Sequence, residues 1–155
     1  MSTNKILLVD DEPNVRETIK ELLVFKNYDV RTAENGQEAL DLLEYWIPDL
    51  ILCDMVMPVM NGTELHENIK NNESLRLIPF IFLSAKNEMD LIQKCLLNGA
   101  DGFLTKPFKI NELTLVVSAG LERFEKNKNV KSNLQLGKKK RLSKLTKLLM
   151  SIYFS

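Results

Sequence analysis

The chain has 155 residues, 45% of them hydrophobic and 27% charged, with 21 Lys/Arg against 21 Asp/Glu. That composition supports one domain with a real core and excludes a disordered, collagen-like or disulfide-stapled chain. The zero net charge hides a split. Residues 1–126 hold all 21 acids and 13 of the bases, a balance of −8, and residues 127–155 hold the other eight bases and no acid. An acidic domain on 1–126 with a basic tail on 127–155 is expected.

In chain order, KILLVD (5–10) has strand length and is continuously apolar up to its last residue. PNVRETIKELLVFKN (13–27) has helical period, with Pro13 suited to a first helical position and Asp11 or Glu12 able to cap it. YDVRTA (28–33) is a second strand, and NGQEALDLLEYW (35–46) a helix that stops before Pro48. DLILCD (49–54) is again continuously apolar before a lone carboxylate. NGTELHENIKNN (61–72) is a polar, weaker helix, on which His66 is expected at the surface. PFIFLS (79–84), NEMDLIQKCLLNG (87–99), the weaker GFLT (102–105) and INELTLVVSAGLERFEKNK (110–128) complete five strand–helix pairs. Continuously apolar strands alternating with helices argue a doubly wound α/β fold, a parallel sheet covered on both faces.

Cys53 and Cys95 each sit in an apolar run, so buried free thiols in a reducing, cytoplasmic compartment are expected. No stretch approaches the roughly 18 apolar residues of a membrane span. In the tail, Val130, Leu134 and Leu136 suit a few more helical turns. Beyond Gly137, Leu142, Leu145, Leu148, Leu149 and Ile152 fall at helical spacing among Lys and Arg. A basic amphipathic helix of this kind suits a membrane surface, a partner or the acidic domain itself, a partly disordered tail or a truncated output segment being the plainer alternative. No nucleic-acid reading motif accompanies the KKKR run, so nucleic acid is not an expected partner.

In an open parallel sheet, ligands bind beyond the carboxyl ends of the strands. Here those ends carry Asp10-Asp11, Asp54, Ser84 and Thr105-Lys106-Pro107. Each has a plain structural reading: a helix cap, a loop residue, a strand end, a solvated lysine. Together they would gather three carboxylates, a hydroxyl and an ammonium on one edge. Crowded carboxylates call for a cation, and a hard divalent ion such as Mg²⁺ takes one or two carboxylates plus phosphate and water. A carboxylate beside such an ion can attack phosphorus to give an aspartyl phosphate, with Lys106 and Ser84 stabilising the phosphoryl oxygens. An aspartyl phosphatase would need a second acid two residues on, where this chain has Val56, and no glycine-rich nucleotide loop follows the first strand.

The stretches LLVDDEP (7–13), DLILCDMVMPVMNG (49–62), FLSAK (82–86) and GADGFLTKPF (99–108) closely resemble receiver domains of two-component response regulators, over about residues 4–126. The resemblance implies a flavodoxin-like (βα)5 three-layer sandwich of strand order 2-1-3-4-5. It implies Asp54 as phosphoacceptor and Mg²⁺ held by Asp11 directly, Asp10 through water, Asp54, and the backbone carbonyl of Val56. It also implies Lys106 as the family's lysine with a cis bond to Pro107, and a switch made of Ser84 and Phe103. The phosphoryl donor would be a histidine kinase or phosphotransfer protein, since no donor histidine domain is present. A downstream protein would read the fourth helix, fifth strand and fifth helix, with a phosphorylation-linked homodimer a further implied outcome. Such a domain is a signalling module, an enzyme only toward itself. With an apolar Val56 and Lys86 flanking the path of attacking water, slow self-dephosphorylation is expected.

Overall fold

The computed structural model describes residues 3–153. Five parallel strands, β1 (Lys5–Val9), β2 (Asp29–Ala33), β3 (Leu50–Asp54), β4 (Phe80–Ala85) and β5 (Gly102–Lys106), form one sheet of order β2-β1-β3-β4-β5. Between them run α1 (Pro13–Phe25), α2 (Gly36–Leu43), α3 (Gly62–Lys70) and α4 (Met89–Leu97, after a single 3-10 turn at Lys86–Glu88), and α5 spans Ile110–Tyr153.

Strand alternation splits the core in two. Leu7, Val9, Ile51, Cys53, Phe80 and Phe82 face α2, α3 and α4 through Ala39, Leu65, Ile69 and Ile92. Ile6, Leu8, Leu50, Leu52, Ile81, Leu83 and Leu104 face α1 and α5 through Ile19, Leu23, Leu113 and Val117. The continuously apolar strands β1, β3 and β4 are buried on both faces, whereas the edge strands β2 and β5 are partly exposed. The expected three-layer doubly wound architecture is therefore the observed one.

Local chemistry sets the helix boundaries. Asn35 and Asn61 cap α2 and α3, their side-chain oxygens accepting from the backbone N–H groups of Glu38 and Glu64 at 2.9 Å each. Gly99, at φ +99°, ends α4. The start of α1 departs from expectation. Glu12 is its N-cap but makes no side-chain cap, and the Glu12 N–H donates instead to Asp10 Oδ1 at 2.9 Å. The first helix thus borrows its capping acceptor from the end of β1, and Asp11 is left out of the cap.

His66 is also a correction. It is 3% exposed, not a surface residue, and its ring packs edge-on against Phe80 and Phe82 at 4.9 and 5.5 Å. A polar run hid this because α3 has a narrow apolar stripe and His66 falls next to Leu65 and Ile69 on it. Burial, then the Lys70 charge, lowers its pKa from 6.5 to about 4. The unfolded chain then binds the extra proton first as pH falls below 6.5, so this residue's contribution is intact at pH 7 and lost progressively toward pH 4. At pH 5 the loss is about 2 kcal/mol. In urea unfolding, wild type should lose that amount relative to His66→Leu between pH 7 and pH 5; a difference between the two that is independent of pH would refute the assignment.

The chain forms two compact units, Met1–Phe124 and Glu125–Ser155. In the second, residues 125–153 are helical throughout and exposed except for the half-buried Asn127, with no break at Gly137. Helix formers (Lys, Leu, Arg, Gln) dominate there, and one exposed glycine costs only about 1 kcal/mol in a helix. No helix among the described residues is long and apolar enough to cross a membrane.

Candidate functional site

The register decides which strand-end residues meet. Asp54 continues the Leu50–Leu52 parity of β3, and Asp10 that of Ile6–Leu8 in β1, with Val9 paired to Cys53. Lys106 follows Leu104 on the same face of β5. Asp10, Asp54 and Lys106 therefore share the α1/α5 side at the carboxyl edge of the sheet. Ser84 has the opposite parity, in line with Phe80 and Phe82, and Phe103 pairs with Phe82.

The acidic cluster forms as expected. Asp10, Asp11 and Asp54 each offer a carboxylate oxygen within 4.8 Å of the others, with Asp10 buried, Asp54 half-buried and Asp11 exposed. Lys106 Nζ donates to Asp10 Oδ2 at 2.8 Å and lies 3.5 Å from Asp54 Oδ2. Both Asp10 oxygens are thus engaged, one by Lys106 and the other by the Glu12 N–H. Asp54 Oδ1 accepts from the Met55 N–H at 2.9 Å. The Lys106-Pro107 peptide is cis. Val56 is exposed in the loop after β3, and Phe103 is half-buried against the core beneath α2–α4. That loop turns tightly: Met60 N–H donates to Pro58 O at 2.8 Å across Val59, held at φ +67°.

Burial raises the Asp54 pKa to about 6; Lys106 and the Met55 amide oppose this, while Asp10 and Asp11 reinforce it. Burial acts against the Lys106 charge, but the hydrogen bond to Asp10 and the charge of Asp54 outweigh it and hold its pKa above the usual value. Burial raises the Cys53 thiol, and both cysteines are free and buried. Ser84 is fully buried and its Oγ has no hydrogen-bond partner among the described residues. A buried hydroxyl left unpaired costs about 1–3 kcal/mol, so this one suits an incoming acceptor. Three carboxylates within oxygen-ligand reach of one another fit a hard divalent ion, and a single ammonium does not neutralise them.

The family model for the response regulator receiver domain matches residues 6–118. The nisin biosynthesis regulatory protein NisR of Lactococcus lactis is 38% identical over 125 residues, covering 81% of this chain and 53% of that protein. The probable transcriptional regulator ycf29 of Pyropia yezoensis is 35% identical over 153 residues, covering 96% of this chain and 69% of that protein. The chain thus spans about half the length of the first of these relatives. Among solved structures, the receiver domain of sensor histidine kinase PA1611 of Pseudomonas aeruginosa, with a magnesium ion coordinated in its active-site cleft, superposes with TM-score 0.72. It is 30% identical, and the match covers 78% of this chain and 99% of that one.

Proposed function

Because the chain belongs to the response regulator receiver domain family, we propose that it accepts a phosphoryl group on Asp54 from a histidine kinase or phosphotransfer protein. The observation that carries this reading is the cluster itself: three carboxylates on one strand edge with the Lys106 ammonium 3.5 Å from Asp54. Asp54 Oδ2 attacks phosphorus as the donor's P–N bond breaks, the electron pair leaving with the imidazole. Lys106, already beside Asp54, stabilises the phosphoryl oxygens, and the unpaired Ser84 hydroxyl donates to one of them.

Asp10, Asp11, Asp54 and the Val56 carbonyl would hold Mg²⁺. Bound there, the ion would neutralise the negative charge that gathers during transfer. Because both Asp10 oxygens are already engaged, Asp11 and Asp54 are the carboxylates placed to ligate directly. The related PA1611 receiver, described with magnesium in its cleft, supports the choice of metal.

A donor must bring its phosphohistidine to Asp54, so its docking surface has to adjoin the site. An apolar groove beside Lys106, lined by Val15, Ile19, Leu22, Pro107 and Phe108, suits a donor helix. Phosphorylation adds nearly two negative charges, draws Ser84 toward them and lets Phe103 repack. A downstream partner then reads the α4–β5–α5 face, where Met89, Leu91, Leu97 and Leu115 are exposed. The similarity to the Pyropia yezoensis regulator extends through the tail and supports transcription control as the process served.

Intact mass after incubation with Mg²⁺ and acetyl phosphate is the test. One added phosphoryl group is expected, absent with Asp54→Asn and absent in EDTA. A folded wild type that takes no phosphate from acetyl phosphate or from any histidine-phosphorylated donor would refute the reading.

A further inference from the structure

We infer that Arg16 is a positioning residue for the metal-binding turn, bracing the Asp10–Asp11 peptide so that Asp11 is aimed for ligation. This rests on the Mg²⁺ reading above. Arg16 lies in the first turn of α1, where the helix dipole disfavours a cation and the turn itself carries no acidic residue. The turn by itself does not favour an arginine there, so the reason for it is sought in what the side chain touches outside α1.

That role is visible in its contacts. The Arg16 side chain is only 15% exposed; its Nη1 donates to the Asp10 carbonyl oxygen at 2.8 Å, and its Nη2 is 3.6 Å from Glu34 Oε1. The carbonyl belongs to the peptide that joins Asp10 to Asp11, so fixing it fixes the direction in which Asp11 leaves β1. Every other polar group of Asp10 is also held: its N–H by Ala33 O at 3.1 Å, Oδ1 by the Glu12 N–H, Oδ2 by Lys106. The Asp11 carboxylate itself makes no hydrogen bond or ion pair among the described residues, so its placement comes from the backbone. Among the described residues Arg16 is the only side chain tying the carbonyl of that peptide, and its rigid planar fork can bond Asp10 and reach toward Glu34 together.

Position and charge make opposite predictions. A cation near a Mg²⁺ site repels the ion, so if Arg16 acted only through its charge, its removal would tighten binding. A brace acts the other way. Arg16→Gln is expected to weaken Mg²⁺ binding about 10-fold, the lower end of the loss seen when groups behind metal ligands are removed. Arg16→Lys, which keeps the charge and loses the fork, is expected to weaken it as well. Glu34→Gln leaves the Asp10 contact in place and should change affinity less than about 2-fold by the same scale.

Isothermal titration with Mg²⁺ reads all four proteins, and thermal unfolding in EDTA checks that each is folded. The Asp11 amide resonance of the metal-free protein should move in Arg16→Gln, a readout that general loss of stability would leave in place. Equal or tighter Mg²⁺ binding by folded Arg16→Gln or Arg16→Lys would overturn the inference. A folded wild type that binds no Mg²⁺ would instead remove the reading it rests on, and the inference with it.

Discussion

Asp54→Asn should be more stable than wild type by about 2–3 kcal/mol in metal-free buffer at pH 7, while losing phosphoryl acceptance entirely. The sign follows from the folded-state pKa of about 6, above the ordinary carboxyl value of 3.8. Between those values the folded state holds a proton that the unfolded chain has released. Stability therefore falls as pH rises from about 4 to 6, and at pH 7 the ionised Asp54 carries its full cost. Asparagine keeps the shape and removes the charge. The gap between variant and wild type should shrink below pH 6 and close near pH 4. Mg²⁺ should narrow it from the other side by stabilising wild type in preference to the variant. Denaturant unfolding in EDTA across that range measures it, and a variant less stable than wild type at pH 7 would show that the carboxylate is structurally satisfied. A strand end that destabilises its own fold is the expected trade at a reactive site.

Gly62→Ala should be the most damaging single-methyl change in the domain, at about 3 kcal/mol or more. Gly62 opens α3 directly under the end of β3, and its N–H donates to Met55 O at 3.0 Å. A Cβ there would overlap the Asp54 backbone carbonyl oxygen and crowd the Met55 Cα. Neither is a side chain that can swing away, so the start of α3 and the end of β3 must part. That shift moves Asp54 relative to Lys106, so phosphoryl acceptance should fall more than the melting temperature alone explains. Gly137→Ala is the control. Nothing lies within 4 Å of a Cβ at that helical position, so the same change should favour the helix by about 1 kcal/mol. Thermal unfolding and acetyl phosphate uptake of the two variants compare directly; a Gly62→Ala protein with wild-type uptake would show that α3 does not hold Asp54 in place.

The parts that were hard to read from sequence share one cause. His66 sits in the polar stretch TELHEN and looked solvated, yet α3 docks that position onto Phe80 and Phe82. The cap of α1 looked like the work of Asp11 or Glu12, yet the acceptor is Asp10, turned back from the end of β1. The tail looked like a few turns and a second segment, yet it is helical through Gly137. Arg16 carries no sequence signal, because its partner is a backbone oxygen six residues away, and no side-chain motif encodes a bond to the main chain.

Sequence by itself determined the alternation of apolar strands and helices, the chemistry at each strand end, and the absence of a second acid at Val56. These are properties of residue type and spacing, and period-2 and period-3.6 patterns carry them along the chain. Tertiary structure alone decided which ends meet. Parity in the sheet puts Asp10, Asp54 and Lys106 on one face and Ser84 on the other. Lys106 lies closer to Asp10 than to Asp54, and burial rather than sequence neighbours lifts the Asp54 pKa. Distances across a sheet and the loss of water around a charge depend on strands that are 40 to 100 residues apart in the chain, as Asp10 and Lys106 are. No local pattern can specify them.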